Sequence, residues 1–352
     1  MDARLNSAFC ITLPAMSAAQ LLKHLSSASR HSRAALAAHF NVCDRELDSW
    51  LVELTSQGVA IGSDGDAVRL QSPIDWLALA SVKQHSEQPF TLELSLETDS
   101  TSTDLQRRAA RQSIHKMALT TEYQRAGRGR LGRRWQSPVA QNIALSVGWQ
   151  FNRGAAALEG LSLAIGASLA EALEDAFGVS LWLKWPNDLY LNDRKCGGVL
   201  IDVSGELTHS CTVIVGVGLN LAIAEQAGET IDQPWAALGS VLPISASRSV
   251  ILGIMLDALS EVLQSYVLGG FGQWHARYSR RDWLLGQAVE TEGAKSAKGL
   301  AAGVSKEGAL LIQSNGEQLP IFAGEARLAR RSRGAPIELS DTPIAGVKSD
   351  NV

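Results

Sequence analysis

The chain has 352 residues, enough for two or three domains, and its 45% hydrophobic and 19% charged content is that of an ordinary globular protein. A net charge of −4 excludes a uniformly basic nucleic-acid binder, so any basic surface has to be local. The four cysteines lack C-x-x-C spacing, and neither a signal peptide nor an apolar run of about 18 residues is found. These totals predict a cytoplasmic protein with no disulfide framework, zinc site or membrane partner.

Residues 1–75 carry three helical patterns followed by a β-hairpin. Three leucines fall on one face of the first helix, Ser32 is placed to cap the second, and Gly58 ends the third. The letters SDGD stand at the centre of the hairpin and are typical of a turn. The predicted helices cover 17–27, 32–42 and 44–58, and the predicted hairpin covers 59–70. This order predicts a winged helix-turn-helix domain.

A linker at 76–90 leads into a block at 91–270 in which strand and helix patterns alternate. Residues 91–103 alternate polar and apolar, which predicts a strand that runs into a Ser/Thr-rich loop. The later predicted elements are the helices 159–178 and 250–270 and the buried strands 181–185 and 211–221. Such interleaving predicts a layered α/β domain.

Residues 271–331 change character, with short β runs separated by turn letters such as KEG and NGE. This pattern predicts a small β-barrel. Residues 332–352 have little apolar content, which predicts a disordered tail.

An arginine-rich loop, AGRGRLGRRW at 126–135, contains the letters GRGRLG, which fit the G-x-G-x-x-G pattern of dinucleotide-binding turns. Such a turn needs a buried strand before it and a helix opening within it. The preceding TTEYQRA is only weakly strand-like, and Pro138 with its polar neighbours opposes a long helix afterwards. We therefore set the dinucleotide interpretation aside. Five arginines between 125 and 134 leave a nucleic-acid patch and a solvated basic loop as further interpretations.

A lid over a nucleotide fits this loop better than those interpretations. Glycines let a backbone approach phosphate closely, and arginines hold phosphate or carboxylate oxygens with forked donors. Trp135 at the end of the loop has a ring that could cover a purine.

The letters KWPND follow a predicted buried strand, and Pro186 indicates a turn. The turn places polar side chains at a strand end, where ligands of α/β proteins bind. These side chains are Lys184, Asn187 and Asp188. Taken alone, the motif is more typical of an ordinary polar turn.

Two further motifs place glycines beside polar residues. In DRKCGGVLID, Lys195 precedes two glycines, so that a ligand can approach with little steric hindrance. In GVGLN, two glycines end a strand before Asn220. A hairpin lysine and close strand packing are the alternative interpretations.

Together, the motifs EYQRAGRGRLGRRW, KWPNDLYL, DRKCGGVLID and IVGVGLNL resemble those of biotin protein ligases in order and spacing. DSTSTD at 99–104 is similar to the D-S-T-N loop of that family, and the resemblance covers about 95–330. The N-terminal block in front of this core resembles the bifunctional class, which is both biotin ligase and biotin operon repressor.

The resemblance implies an α/β (α+β) mixed-sheet catalytic domain of the class II aminoacyl-tRNA synthetase/biotin ligase type. It also implies an N-terminal winged helix-turn-helix and a C-terminal SH3-like β-barrel. The implied reaction joins biotin to ATP with Mg²⁺, giving biotinyl-5′-AMP, and then biotinylates one lysine of the biotin carboxyl carrier protein of acetyl-CoA carboxylase. A DNA operator and a second copy of the chain are the implied regulatory partners.

The same resemblance implies a biotin site around the Ser/Thr loop and the glycines of the central sheet. Lys195 would stand between the biotin carboxylate and the α-phosphate, and Gly127 and Arg128 would lie over the bound biotin. The implied biotin-binding residues are Ser100, Thr101, Gln124, Gly127, Arg128, Lys195, Gly198, Gly216 and Gly218.

An ATP site is implied beside it, with Mg²⁺ near Asn187 and no metal site built by protein ligands. Arg130 and Arg133 would meet phosphates, and Trp135 would pack near adenine. The implied ATP-binding residues are Arg130, Arg133, Trp135, Lys184, Asn187 and Asn220. The implied catalytic residues are Lys195, Arg130 and Asp188, the last as orienter or proton acceptor for the incoming lysine.

Three positions depart from the family pattern. Leu131 stands where a basic residue is usual, which predicts one phosphate contact fewer. Cys196 replaces a small or aliphatic residue, and Ser102 replaces an asparagine. Two other functions stay open: a lipoate or octanoyl ligase, and a winged-helix regulator whose catalytic block only senses biotin.

DNA binding by the N-terminal block is an open question. Residues 1–75 contain six Lys/Arg and eight Asp/Glu, and the helix beginning DRELDSWLVE, which would enter the major groove, is acidic. Phosphate contacts dominate DNA affinity, so an acidic face opposes binding. Retained DNA binding and a degenerate winged helix that serves as a folded appendage are the two alternatives.

Overall fold

The structure, a computed structural model, describes residues 17–27, 30–86, 90–205, 209–223, 228, 231, 233–293 and 296–329. The predicted tail at 332–352 lies outside the described residues.

The N-terminal block contains three helices and a small antiparallel sheet with strand order β1-β3-β2, as the sequence pattern predicts. Ser17 and Gln20 form a capping box at the first helix, and the Ser32 side chain accepts a hydrogen bond from Ala35 N at the second. The elements are α1 Ala18–Leu25, β1 His31–Ser32, α2 Arg33–Phe40, α3 Asp44–Ser56, β2 Ile61–Asp64 and β3 Ala67–Leu70.

The central block is built on a seven-stranded mixed sheet with the order β4-β5-β6-β10-β9-β8-β7. The first pair is parallel and every other neighbouring pair is antiparallel. The strands are β4 Thr91–Thr98, β5 Met117–Gln124, β6 Asn142–Phe151, β7 Trp182–Lys184, β8 Asp188–Leu191, β9 Arg194–Gly205 and β10 Cys211–Asn220.

Helices accompany this sheet, and two of them are long and apolar. Both pass the length and hydropathy test for a membrane span, but 61% of each apolar window is buried inside the protein. Their apolar surface is therefore accounted for by the core. The helices are α4 Leu79–Gln84, α5 Thr101–Ala109, α6 Leu161–Phe177, α7 Arg248–Gly269 and α8 His275–Ser279.

The C-terminal strands form a five-stranded antiparallel sheet with the order β14-β13-β12-β11-β15. Its apolar face shares one continuous hydrophobic core with the central block, and Trp185 Nε1 donates to Gly308 O at 3.1 Å. The strands are β11 Ala288–Glu292, β12 Lys298–Val304, β13 Leu310–Ser314, β14 Glu317–Ile321 and β15 Glu325–Leu328.

Three elements differ from the sequence prediction. The segment predicted as a linker at 76–90 contains the helix α4 Leu79–Gln84. The Ser/Thr-rich stretch after β4 is not a loop, because Thr101 begins α5, whose Leu105 is fully buried. The weakly strand-like segment before the arginine-rich loop is β5, an inner strand of the sheet. The loop itself contains only a 3-10 turn at Arg130–Gly132, and the next element is the strand β6, so the dinucleotide interpretation still fails.

Candidate active site

A cavity of about 580 Å³ opens where the ends of the central strands meet the arginine-rich loop and the edge of the C-terminal sheet. Every site residue predicted from the sequence lines it except Gly127. Gly127 lines a shallower adjoining pocket, and a Cβ there would fall 2.5 Å from Trp135 O. Since Trp135 N also donates to Gly127 O, this glycine shapes the stem of the loop.

Lys195 and Asp188 form an ion pair inside the cavity. Their Nζ and Oδ1 atoms are 2.7 Å apart, on adjacent strands β9 and β8. The Lys195 ammonium also lies 5.9 Å from the centre of the Trp135 ring. The pair is largely enclosed, so a bound anion could compete with Asp188 for the lysine.

A second lysine, Lys184, ends β7 nearby. Its ammonium lies 5.5 Å from the Tyr190 ring centre and 5.9 Å from that of Trp283. Burial lowers the pKa of Lys184, and the neighbouring Asp188 partly offsets that effect while Lys195 adds to it. A bound phosphate would reverse this shift, because an added anion stabilises the charged amine.

The base of the arginine-rich loop is fixed by acidic and backbone acceptors. Arg128 makes a two-pronged contact with Asp202 of β9, with donor–acceptor distances of 3.0 and 3.3 Å. Arg134 Nη2 donates to Arg125 O at 2.7 Å across the stem of the loop. At its tip, Leu131 is 75% exposed with φ +54°, and Gly132 follows with φ +75°.

The other two loop arginines cross the cavity toward the C-terminal sheet. Arg130 donates to Asn187 Oδ1 at 3.3 Å and to Gly324 O at 3.2 Å, and burial lowers its pKa. Arg133 pairs with Glu325 of β15. Burial acts to raise the pKa of Glu325, yet the hydrogen bond and charge of Arg133 leave it lowered. The C-terminal sheet thus supplies one wall of the cavity.

At the opposite end, small hydroxyl side chains meet Gln124. Gln124 Oε1 accepts from Thr101 N at 3.0 Å, and Thr101 Oγ1 lies 2.7 Å from Ser146 Oγ. Ser102 Oγ is 2.9 Å from the same Ser146 atom. This buried cluster of hydroxyl and amide groups can hydrogen-bond a small polar ring that carries both donors and acceptors.

Glycines on β10 let two neighbours approach the strand. A Cβ on Gly218 would lie 2.5 Å from the Trp135 ring, and a Cβ on Gly216 would lie 2.7 Å from Ser102 Oγ. The glycines therefore keep the floor of the cavity flat at both ends.

Three buried polar atoms around the cavity have no hydrogen-bond partner among the residues that the structure describes: Trp135 Nε1, Asn142 Oδ1 and Asn220 Oδ1. Trp135 and Asn220 line the cavity itself. Buried polar groups are normally paired, so the unpaired atoms of Trp135 and Asn220 are candidates for contact with a polar ligand.

Sequence reasoning missed several residues of this site. Asp202 belonged to a recognised motif but had no assigned role, and Ser146 stood in an apolar strand without any signal. Glu325 lies in the C-terminal sheet, where the motifs gave no reason to look. Trp235 also lines the cavity, because its segment runs beside β9 and Lys195 N donates to Pro234 O at 3.1 Å.

Metal-binding side chains are scarce here. Within the part of the chain that the structure describes, no group of three or more His, Cys, Asp or Glu side chains is arranged to hold a metal ion. Two amide oxygens belong to residues that line the cavity: Asn187 Oδ1, which accepts from Arg130, and Asn220 Oδ1, which has no hydrogen-bond partner among the described residues.

Comparison with known proteins relates this geometry to one class. The Biotin/lipoate A/B protein ligase family matches residues 96–220. A Mycobacterium tuberculosis biotin--[acetyl-CoA-carboxylase] ligase is 30% identical over 268 residues, which cover 74% of this chain and 97% of the relative. The bifunctional ligase/repressor BirA of Escherichia coli is 34% identical over 212 residues, covering 60% of this chain and 66% of the relative.

Among solved structures, a biotin protein ligase from Aquifex aeolicus in complex with biotin and ATP is similar, with a TM-score of 0.58 and 29% identity. The likeness covers 68% of this chain and 98% of that one. The mixed sheet is thus that of the biotin protein ligase fold. The chain belongs to the biotin protein ligase family.

Proposed function

We propose that this chain is an ATP-dependent biotin protein ligase. In the first step, an oxygen of the biotin carboxylate attacks the α-phosphorus of ATP, and pyrophosphate leaves. In the second step, the amine of a lysine on a biotin carboxyl carrier protein attacks the carbonyl carbon of biotinyl-5′-AMP. An amide bond forms, AMP leaves and the amine loses a proton.

The cations of the cavity support the first step. A carboxylate and a triphosphate repel each other, so they react only where fixed positive groups offset their charge. Lys195, Lys184 and Arg130 all line one cavity and can supply that charge. The single observation that carries the proposal is Lys195, which pairs with Asp188 inside the cavity that the hydroxyl cluster and the arginine-rich loop also line.

The two ends of the cavity differ in chemistry, and this difference supports a separate place for each substrate. The Ser102, Ser146 and Gln124 cluster offers donors and acceptors to the ureido ring of biotin. The end that carries Arg133 and Trp135 suits phosphates and adenine, and the unpaired Trp135 Nε1 is available to a polar ligand atom.

Asp188 has a different task in each step. Before substrates bind, it neutralises Lys195 at 2.7 Å. Once the lysine turns to the substrate anions, the carboxylate is free to orient the incoming lysine amine and accept its proton. The positions of these two groups on neighbouring strands keep both within reach of one reacting centre.

Mg²⁺ would enter with ATP, whose phosphates would supply most of its ligands. The neutral oxygens of Asn187 and Asn220 are of the hard type that this ion accepts, and they are the side chains that would hold it. When bound, the ion neutralises charge on the triphosphate and on the leaving pyrophosphate.

Biotin transfer to a carrier domain tests the proposal. The purified chain, with biotin, MgATP and a biotin carboxyl carrier domain, should produce one biotinylated lysine and one AMP per turnover. Competition by lipoate, with no use of biotin, would favour the lipoate ligase instead. Biotin binding without any AMP release would favour a biotin-sensing regulator.

A repressor role is the second candidate, supported by the three helices and hairpin of the N-terminal block and by the name of the Escherichia coli relative, a bifunctional ligase/repressor. The exposed start of α3 carries Asp44 and Glu46, so any phosphate contacts have to come from exposed cations such as Arg45 and Arg69. A gel shift with the biotin-synthesis promoter at low salt, with biotin and ATP, tests this role. No shift would exclude it.

A further inference from the structure

A buried arginine outside the cavity, Arg248, joins the elements that flank the nucleotide end of the site. It is the first residue of α7 and only 4% exposed. Its Nε and Nη2 atoms donate to Asn142 O at 3.1 and 2.6 Å, and its Nη1 atom donates to Glu122 Oε2 at 2.5 Å. One guanidinium therefore holds two strands of the central sheet.

Those two strands are the stems of the arginine-rich loop. Glu122 lies on β5 shortly before the loop, and Asn142 begins β6 after it. Asn142 Nδ2 in turn donates to Gln136 O at 3.0 Å, and Gln136 follows Trp135 directly. The contacts run without interruption from Arg248 through Asn142 to the backbone beside Trp135.

The same group also fixes the linker from the N-terminal block. Arg248 Nη1 donates to Asp75 O at 2.9 Å, and Arg248 N donates to Asp75 Oδ2 at 2.7 Å. Glu122 Oε1 accepts from Leu77 N at 2.7 Å. Stems and linker thus meet at one buried arginine, whose forked guanidinium has enough donors for Asn142 O, Asp75 O and Glu122 at once.

We propose that Arg248 is a positioning residue for the nucleotide end of the cavity. By holding Asn142, Arg248 fixes the positions of Gln136 and Trp135. The Trp135 ring is part of the surface that ATP would contact. This inference rests on the proposed ligase function only for the identity of the nucleotide. The positioning itself is a property of the ligand-free protein.

Two substitutions separate positioning from simple stabilisation. Arg248→Lys keeps a cation beside Glu122 but loses the double contact with Asn142 O. Glu122→Gln weakens the buried pair but leaves that double contact in place. Both should lower the melting temperature, because each disturbs a buried charge. Arg111→Lys, at an exposed position, is the control and should change nothing.

Steady-state kinetics below the melting temperatures give the first readout. Arg248→Lys should raise the KM for ATP by about 10-fold or more and leave the KM for biotin within about 2-fold, since misplaced positioning groups have large effects on one substrate. Glu122→Gln should leave both KM values near wild type. An equal rise in the KM for ATP in both variants would overturn the proposal.

Amide hydrogen exchange of the ligand-free protein gives a readout that needs no activity. Arg248→Lys should speed exchange across 135–142 relative to the Glu122→Gln and Arg111→Lys variants. Unchanged exchange there in Arg248→Lys would overturn the positioning role, whatever the enzyme does. If the wild-type chain made no biotinyl-AMP, the proposed ligase function would be wrong. The hydrogen-exchange comparison would still test whether Arg248 positions residues 135–142.

Discussion

Lys195 Nζ lies 2.7 Å from Asp188 Oδ1, and the two side chains are only 15% and 14% exposed. The pair lies in the cavity that the hydroxyl cluster and the arginine-rich loop also line. A lysine so placed can exchange its carboxylate partner for substrate anions with little movement. This change of partner links the two proposed steps. When Lys195 binds the substrate anions in the first step, Asp188 is released and can act in the transfer step.

Asp188→Asn should therefore separate the two steps. Adenylate formation should stay within about 10-fold of wild type, whereas transfer to the carrier lysine should fall by about 100-fold or more, the usual contribution of a general base. Single-turnover assays that start from preformed biotinyl-AMP measure the transfer alone. Equal losses in both steps would show that Asp188 acts only by holding Lys195.

Gly218→Ala should weaken ATP binding because the added Cβ would fall 2.5 Å from the Trp135 ring. The ring has to shift, and we expect the KM for ATP to rise by about 10-fold or more. Gly272→Ala is the matched control, since nothing lies within 4 Å of a Cβ there. The same KM for ATP in Gly218→Ala and wild type would contradict this role of the ring.

Asp202→Asn should loosen the arginine-rich loop in the ligand-free protein. Arg128 loses its ionic partner, so trypsin cleavage at 125–134 should rise by about 2- to 5-fold, as expected for a partly exposed pair. Biotin with ATP should suppress the cleavage in both proteins. Asp64→Asn, which removes the exposed pair with Arg30, is the control and should leave loop cleavage unchanged.

Asp282→Asn should stabilise the protein at neutral and alkaline pH. Burial raises the pKa of the Asp282 carboxyl from 3.8 to about 6, so the folded state holds this proton more tightly than the unfolded chain. The protonated Asp282 carboxyl makes its full contribution to the free energy of unfolding below about pH 4. This contribution is lost as the pH rises through about 6. The ionised carboxylate then costs about 3 kcal/mol, which the amide avoids.

Urea unfolding at pH 4, 6 and 8 measures this difference. The variant should exceed wild type in free energy of unfolding at pH 8 by up to about 3 kcal/mol, and the gap should close toward pH 4. Glu317→Gln, at an exposed position, should leave the pH profile unchanged. A gap of the same size at pH 4 and pH 8 would rule out titration of Asp282 as its cause.

The sequence predicted those parts of the fold and site whose signals are local. The amphipathic pattern of α3 and the apolar run of β10 mark their own elements, and the motifs brought Lys184 and Lys195 into one cavity. Lysines at strand ends could be recognised from the sequence because only cationic or hydrogen-bond-donating side chains can stabilise two neighbouring anions.

The sequence did not reveal features that depend on distant partners. Glu122 gives the β5 segment a polar sequence. The burial of Glu122 depends on its ion pair with Arg248, which lies 126 positions away in the chain. The contact between Arg133 and Glu325 likewise requires the C-terminal sheet to dock on the cavity. The helix α5 was missed because its Ser/Thr letters favour caps and turns, and Leu105 is its one fully buried leucine.

Biotin-dependent exchange of labelled pyrophosphate into ATP tests the central claim most directly. The wild-type chain should catalyse this exchange, and Lys195→Ala should lower it by about 100- to 1000-fold or more, as for loss of a charge-stabilising group. Circular dichroism should show that the variant stays folded. Exchange at the wild-type rate in Lys195→Ala would contradict the account.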